Sequence, residues 1–348
     1  MQSVSTVSPD PRSPSPRTDS LYTLLVFLSL VLVLVVVILS AYLRLAGGGL
    51  GCAEWPACYA LIKSPAGGTE SLAAAHLVPA WATVIHRLAA STLGAMVVGI
   101  TLMALRRRQQ PGHNTGLSLA VLGLTVFLSV LGYKTPSPLL PWVTLSNLLG
   151  GMAMLAMLWW LGQRSVSAAG NDARTPTLRP WARIGVFIVF FQIALGGWVS
   201  ANFAALACTG LPGCGHFPWL DGPWRESLNL FRALPITDGG VIITGDVAKL
   251  IHMIHRLGAV VTFLYIGWLG WRGFRLGGHY RGTGAAILVF LLLQILLGMA
   301  AVVFGLPLAM VTAHNAVAAL LLLSTVNLMH LLTPSIMTRR TSVASKAA

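Results

Sequence analysis

Histidine–arginine pairs inside apolar stretches are the residues of this chain best suited to chemistry. His255 is followed by Arg256 and preceded one helical turn earlier by His252, and the same pair occurs upstream as His86 and Arg87. Ionisable side chains are costly within a bilayer, so such a pair indicates a functional site when its stretch spans a membrane. The repetition of the pair predicts a duplicated site.

Composition determines the class of protein that holds these pairs. Of 348 residues, 9% are charged and 55% are hydrophobic, whereas soluble domains carry about 25% charged residues. The chain is therefore predicted to be an integral membrane protein. Its net charge of +14 does not indicate nucleic acid as a partner. The basic residues fall in short clusters between apolar runs rather than on one face of a soluble domain.

Apolar runs near the ~20 residues that cross a bilayer predict eight transmembrane helices. These runs lie near residues 21–43, 80–105, 115–133, 141–162, 184–202, 247–271, 283–304 and 308–332. We interpret the first run as a retained helix rather than a signal peptide, because no convincing small-residue cleavage site follows it. Residues 1–20, rich in Pro, Ser and Thr, are predicted to form a disordered tail, and residues 333–348 a second tail.

The distribution of basic residues predicts the orientation in the membrane. Fifteen Lys and Arg residues lie on the side of the termini and six on the other side, with Arg87 and Arg256 within the membrane. An excess of positive charge marks the cytoplasmic side. Both termini are therefore predicted to be cytoplasmic, and the long loops at 46–79 and 203–246 periplasmic.

Two halves of the chain, residues 21–165 and 184–332 around a linker at 166–183, carry the same order of features. Each half has four spans, a Cys-x5-Cys in its first long loop and a His-Arg pair in its second span. Val143–Asn147 in the fourth span also matches Val311–Asn315 in the eighth. The predicted fold is all-α, with eight transmembrane helices as two tandem, pseudo-symmetric four-helix bundles. Such bundles build cofactor sites from side chains on facing helices.

The four cysteines form two pairs of equal spacing, Cys52 with Cys58 and Cys208 with Cys214. Because the outer side of a bacterial membrane is oxidising, local disulfides are the favoured interpretation. A metal site is the competitor, although the pairs lack the short spacing of a structural zinc site. Redox-active thiols are a third interpretation.

His255 and His314 lie at similar predicted depths, about eight and about six residues into their spans at ~1.5 Å per residue. Two imidazoles facing each other at one depth in a helical bundle predict a bis-histidine heme site. Arg256 could pair with a heme propionate. The alternative is a pair of histidines bonded to backbone carbonyls in a transport path. His330, at the end of the last span, is predicted to be solvated or interfacial.

The first half repeats this pattern incompletely. The counterpart of His314 is Ser146, with Asn147 beside it, and neither residue type is a usual ligand of heme iron. His86 therefore predicts a five-coordinate site with an open position, as a substrate or oxidant requires, and the halves are expected to differ in function. His252 could act as a proton relay, a propionate partner, an alternative ligand or an ordinary interfacial histidine.

At these residues the chain, over roughly 21–332, resembles the heme A synthase family of cytochrome oxidase assembly enzymes. The resemblance is carried by the eight-span duplication, the GGLGCAEWPACYA loop, the loop with Cys208 and Cys214, the two IHR motifs and the span of His314. It implies a heme B cofactor ligated by His255 and His314. It also implies that heme O binds at His86, where its C8 methyl group is oxidised to the formyl group of heme A.

The chain departs from the family pattern at two places: Thr83 stands where a glutamate is frequent, and Ser146 where a histidine is usual. Thr83 and Asn147 are included with His86 as catalytic candidates. The alternatives are a non-catalytic heme-binding or heme-delivery protein and a membrane cytochrome b in quinol-linked electron transfer. The expected location is the bacterial inner membrane. The expected partners are heme O synthase, oxidase assembly factors and an unidentified electron acceptor, and a homo-oligomer is also compatible.

Overall fold

The computed structural model describes residues 16–45, 80–108, 114–134, 140–166, 177–210, 213–214, 221–234 and 245–333. Regular structure in these ranges is entirely helical, with eight long helices and one helical turn at Trp224–Ser227. The long helices are α1 Pro16–Leu45, α2 Ala80–Arg106, α3 Thr115–Lys134, α4 Pro141–Val166, α5 Arg179–Ala201, α6 Gly245–Leu276, α7 Gly278–Val303 and α8 Leu308–Leu331.

All eight long helices are long and apolar enough to cross a membrane. The prediction of an all-α membrane protein with eight spans is therefore confirmed. Several helices begin before the predicted runs, with α1 starting at Pro16, α5 at Arg179 and α7 at Gly278. Hydropathy marks only the apolar part of a helix, whereas backbone hydrogen bonding continues into polar residues. Pro180, in the first turn of α5, is tolerated there because that turn needs no backbone N–H donor.

Helix contacts follow the same ring order in both halves. In the first half α1 contacts α2 and α4, and α3 lies between α2 and α4; in the second half α5 contacts α6 and α8, and α7 lies between α6 and α8. The halves meet through α1, α4, α5 and α8. This arrangement agrees with two four-helix bundles, while their pseudo-symmetry and the side of the termini stay predictions.

The two halves share one apolar core. Leu155 and Leu158 of α4 belong to the same buried cluster as Ile193 of α5 and Leu322 of α8. Large apolar side chains on the outside, such as Phe187 at 69% exposure, form a surface that suits lipid rather than water. The halves are therefore joined by packing as well as by the chain.

His330 does not lie at a solvated surface as predicted. Its side chain is only 2% exposed, and its ring centroid lies 5.2 Å from that of Trp160 in an edge-on arrangement. Trp160 belongs to α4, so the histidine is enclosed between the two halves. The prediction of a solvated side chain was wrong because the sequence does not reveal that α4 covers the end of α8, while an interfacial position stays a prediction.

Close packing of α6 against α7 depends on glycines. A Cβ atom on Gly284 of α7 would overlap backbone atoms of Phe274 and Gly270, and a Cβ on Gly270 of α6 would come within 2.8 Å of Ile287 Cγ2. Small residues permit this approach between membrane helices. The crossing fixes the wall of the second half on which the candidate site depends.

Candidate functional site

A cavity of about 620 Å³ lies within the second half, inside the range of roughly 300–1,000 Å³ usual for small-molecule and cofactor sites. Most of its lining is aliphatic, and the polar groups are few. Helices α5 to α8 supply most of its wall, and Arg44 of α1, Leu148 of α4 and the connecting residues Ala205 and Leu306 supply the rest. The polar lining residues are Arg44, Gln192, Ser200, His252, His255, Arg256, Thr262, Gln294, His314 and Asn315.

His255 and His314 both line this cavity. His255 lies on α6 and His314 on α8, and in the ring of four helices these two are separated by α5 on one side and α7 on the other. Two imidazoles are thus presented to one apolar space from different walls. This is the donor set that the bis-histidine prediction requires.

Each histidine contacts a glutamine of a neighbouring helix. Nε2 of Gln192 lies 3.0 Å from Nδ1 of His255 and also donates to the backbone carbonyl of His255 at 3.0 Å. Nε2 of Gln294 lies 3.1 Å from Nε2 of His314. A histidine ring held at one nitrogen has a restricted orientation, which is how outer residues position metal-binding imidazoles.

A glycine one turn after each glutamine makes room for the imidazole. A Cβ atom on Gly196 would lie 3.1 Å from Cε1 of His255, and one on Gly298 would lie 2.9 Å from Cε1 of His314. Either contact is too short for an unshifted ring. Gly196 and Gly298 therefore let α5 and α7 come close to the histidines that they orient.

Sequence reasoning missed both glutamines, although the chain contains a signal for them. Gln192–Gly196 reads QIALG and Gln294–Gly298 reads QILLG. The motif occurs once in α5 and once in α7, and each of these helices precedes the helix that carries the contacted histidine. A search for polar residues repeated within one half, rather than between halves, would have found it.

The predicted disulfide of the second half is present. Cys208 and Cys214 are bonded, with their Cα atoms 4.9 Å apart. Arg256 holds the backbone of this loop: Nη1 donates to the carbonyls of Gly210 at 2.6 Å and Gly213 at 3.2 Å, and Nη2 donates to the carbonyl of Cys208. The residue next to His255 thus attaches the disulfide loop to the site.

His252 is buried, at 4% exposure, and lines the same cavity. Its Nε2 lies 3.3 Å from Nε of Arg256. His252 therefore lies at the cavity beside the arginine that holds the loop, a position compatible with the predicted proton relay as well as with a supporting role.

The first-half residues lie on corresponding helices. In α2 the His86 side chain is half-buried and that of Arg87 is exposed, and in α4 both Ser146 and Asn147 are half-buried. Thr83 lies in α2, but its side chain is outside the described part of the structure. Cys52 and Cys58, with the loop that carries them, also lie outside the described residues.

Across the described ranges, no group of three or more His, Cys, Asp and Glu residues could hold a bare metal ion. The donors at the cavity are instead two imidazoles, supported by glutamines and surrounded by aliphatic side chains. Such a set would suit a metal that is already held by an organic ring and takes only its remaining ligands from the protein.

Comparison with known proteins gives one consistent result. The sequence profile of a family described as cytochrome oxidase assembly proteins matches residues 23–326. The heme A synthase of Shewanella oneidensis is 35% identical over 312 residues, 84% of this chain and 91% of that protein. The heme A synthase of Sphingopyxis alaskensis is 27% identical over 266 residues, 71% of this chain and 68% of that protein.

Proposed function

This chain belongs to the cytochrome oxidase assembly protein family, and from that membership and the cavity we propose that it is a heme A synthase. It oxidises the C8 methyl group of heme O to the formyl group of heme A for the assembly of a terminal oxidase. The observation that carries the proposal is the apolar cavity with His255 and His314 in its walls.

The second half fits a resident heme B. Its cavity offers two imidazoles, aliphatic walls and glycines at the positions where a side chain would collide with an imidazole. His255 and His314 are the proposed iron ligands. A heme held by these two histidines would supply one-electron transfer.

Two arginines provide positive charge at the cavity wall. Arg256 was predicted to pair with a propionate, and its guanidinium already donates to carbonyls of the disulfide loop. Arg44, contributed by α1 of the first half, lines the same cavity. We therefore add Arg44 to the proposed carboxylate-binding residues, since a guanidinium matches carboxylate geometry.

The substrate heme O is assigned to the first half, at His86. Converting a methyl group to a formyl group with water as the oxygen source releases four electrons and four protons, so an external electron acceptor is needed. His86 is proposed to hold the substrate. Arg87 is proposed to bind the heme with its positive charge, and Asn147 of α4 is a catalytic candidate on the other side of the substrate. Thr83 is the remaining catalytic candidate. The second half is proposed to pass the electrons from the substrate to the external acceptor.

The protein is a multi-pass membrane protein by its helices and family. We place it in the bacterial inner membrane with both cysteine-bearing loops on the periplasmic side. Heme O synthase and oxidase assembly factors are the proposed partners, because they supply the substrate and consume the product. A homo-oligomer is compatible with this arrangement.

Expression together with a heme O synthase, in a host without heme A, tests the activity. Extracted hemes should contain heme A for the wild type. His86→Ala should retain the low-spin heme B but yield no heme A, while His279→Ala, at an exposed histidine, should behave as wild type. Persistent heme O with the wild-type chain would contradict the proposed reaction.

A heme-delivery protein without catalysis is the second candidate, favoured by Thr83 and Ser146 at positions where the resembled family has Glu and His. It predicts that heme O is bound and transferred unchanged. Production of heme A that depends on His86 excludes this candidate, and the same extraction experiment therefore separates the two.

A further inference from the structure

Two tryptophans form an aromatic cluster on the outside of the second half, where α5 begins and α6 ends. The rings of Trp181 in α5 and Trp268 in α6 meet edge to face, with their centroids 5.5 Å apart. Tyr265, which precedes Trp268 in α6, donates its hydroxyl to the backbone carbonyl of Trp181 at 3.0 Å. Both tryptophans are exposed, so the protein holds the cluster in place while the outer side of the cluster stays open.

The exposed face of α6 changes from apolar to cationic along the helix. Val261 and Leu264 precede Trp268 at intervals of three or four residues, and Arg272 and Arg275 follow it at the same intervals. Residues at this spacing share one side of a helix, and all five side chains are exposed. The order from apolar to aromatic to cationic matches the order from acyl chain to membrane interface to headgroup.

Arg272 and Arg275 form no ion pair within the described ranges. The carboxylates in the described part of the second half are Asp221, Glu226 and Asp246. They lie in the loop before α6 or in its first turn, at the opposite end of this 32-residue helix. Arg275 instead has its guanidinium carbon 5.7 Å from the ring centroid of Trp271. The positive charge at this end of α6 is therefore left for an anion from outside the protein.

We propose that the surface made by Trp181, Trp268, Arg272 and Arg275, the aromatic–arginine surface, binds an anionic phospholipid. The acyl chains lie along the apolar part of the α6 face, and the glycerol backbone meets the two indole rings. The phosphate is held by the two guanidiniums, which match phosphate oxygens in charge and geometry.

The chemistry of this surface selects among the possible occupants. A zwitterionic headgroup would bring its own cation beside two arginines, so a headgroup with net negative charge is favoured. A free phosphate ester would leave the apolar face and both indoles without a contact. The inference goes beyond the proposed function and does not depend on the heme site.

Quenching of tryptophan fluorescence by brominated lipids tests the proposal. Full-length protein is reconstituted in phosphatidylcholine vesicles at fixed ionic strength, and brominated phosphatidylglycerol or brominated phosphatidylcholine replaces an increasing fraction of the lipid. With the wild type, the brominated phosphatidylglycerol should reach half of its maximal quenching at the lower fraction. Arg272→Gln together with Arg275→Gln should reduce this preference on the order of tenfold, because each arginine beside an anionic headgroup contributes to binding.

The matched control is Arg183→Gln with Arg281→Gln, which removes the same charge from the same end of the bundle. Arg183 follows Trp181 by two residues and therefore lies on a different face of α5. Arg281 lies over the ring of Phe274, with its guanidinium carbon 4.8 Å from the centroid. Both arginines are exposed, and their removal should leave the preference for phosphatidylglycerol unchanged.

Two tryptophan variants locate the bound lipid. Trp268→Phe removes a reporter without removing an arginine, and it should lower the additional quenching by brominated phosphatidylglycerol. Trp142→Phe, in the first turn of α4, should not lower it. Far-UV circular dichroism and size-exclusion chromatography establish that each variant is folded.

Three results would overturn the inference. Equal quenching by the two brominated lipids with the wild type contradicts a preference for anionic lipid. An equal loss of preference in the two double variants assigns the attraction to the general positive charge of this end of the bundle. Abolition of the preference by soluble glycerol phosphate at a comparable concentration assigns the arginines to a free phosphate ester.

Discussion

Gly298 determines whether His314 can keep its position. An alanine there would bring Cβ to 2.9 Å from Cε1 of His314, so the ring would have to turn away from Gln294 or the helices would have to separate. Overpacking of this kind costs ~1–3 kcal/mol. We expect Gly298→Ala to lower the affinity for hemin roughly tenfold, the factor for ~1.4 kcal/mol. The affinity is measured by a titration that follows the low-spin spectrum.

Gly267→Ala in α6 is the matched control, because its new Cβ would meet Leu291 Cδ2 at 3.7 Å, an ordinary contact. Its hemin titration should be that of the wild type. A Gly298→Ala protein with an unchanged low-spin spectrum would show that the close contact is not needed for ligation.

Arg256→Lys tests the attachment of the disulfide loop. A lysine has no planar fork and cannot reach three carbonyls in the same geometry, and each hydrogen bond from a charged group contributes ~1.5–3 kcal/mol. We expect faster reduction of Cys208–Cys214 by a water-soluble phosphine, measured by alkylation of the released thiols and mass spectrometry.

Arg225→Lys, at an exposed arginine of the same loop region, provides the comparison and should leave the reduction rate unchanged. Equal rates for both variants and the wild type would mean that Arg256 does not restrain the loop.

At the residue scale, ionisable side chains were the feature of the sequence that identified candidate site residues. His255, Arg256 and His314 were identifiable because ionisable groups are rare within apolar spans. Gln192 and Gln294 carry no charge, and only their contacts reveal their role. Depth along a helix follows from residue count, whereas the direction in which a side chain points depends on helix rotation, which packing determines.

At the scale of helices, the α6–α7 crossing is sensitive to substitution. A Cβ at Gly284 would overlap the backbone of Phe274 and Gly270, and backbone atoms cannot rotate away as a side chain does. We expect Gly284→Ala to lower stability by ~3 kcal/mol, the upper end for overpacking, and to lower the thermal aggregation temperature in detergent.

Gly282→Ala, two residues before Gly284 in the same helix, has no atom within 4 Å of its added Cβ and should aggregate at the wild-type temperature. If both variants behave alike, the close approach of α6 and α7 is not a source of stability.

The number and order of helices could be predicted because each span must satisfy its own backbone and cross a fixed apolar thickness. Helix ends could not. Gly278–Val303 begins at a glycine pair that no hydropathy pattern distinguishes from a loop, and the start of α1 at Pro16 lies among polar residues.

Across the whole molecule, the cavity of the second half depends on the first half. Arg44 of α1 lines it together with His255 and His314. Removing the charge should weaken binding of a dicarboxylate porphyrin, since a charge-assisted bond contributes ~1.5–3 kcal/mol. We expect Arg44→Gln to reduce hemin affinity at least tenfold in the spectral titration while leaving the low-spin spectrum of the bound form intact.

Arg183→Gln, at an exposed arginine near the start of α5, is the control and should titrate as wild type. Unchanged affinity in Arg44→Gln would assign the carboxylate contacts to other residues.

The contact between α1 and α8 illustrates what sequence reasoning could not supply at this scale. The two helices lie near opposite ends of the chain, and no feature of either sequence predicts that they pack against each other. Arg44 was therefore not among the predicted site residues, and the predicted solvation of His330 overlooked that α4 covers it.

The wall that Arg44 and Leu148 give the cavity limits how this chain could have evolved. A protein made only of the second half would leave that side of the cavity facing lipid. An ancestral single bundle could have closed it by pairing with a second copy, as homodimers build shared sites. A duplication of such a bundle would place both copies in one polypeptide, and the first bundle would then be able to change its chemistry while it still completes the cavity of the second.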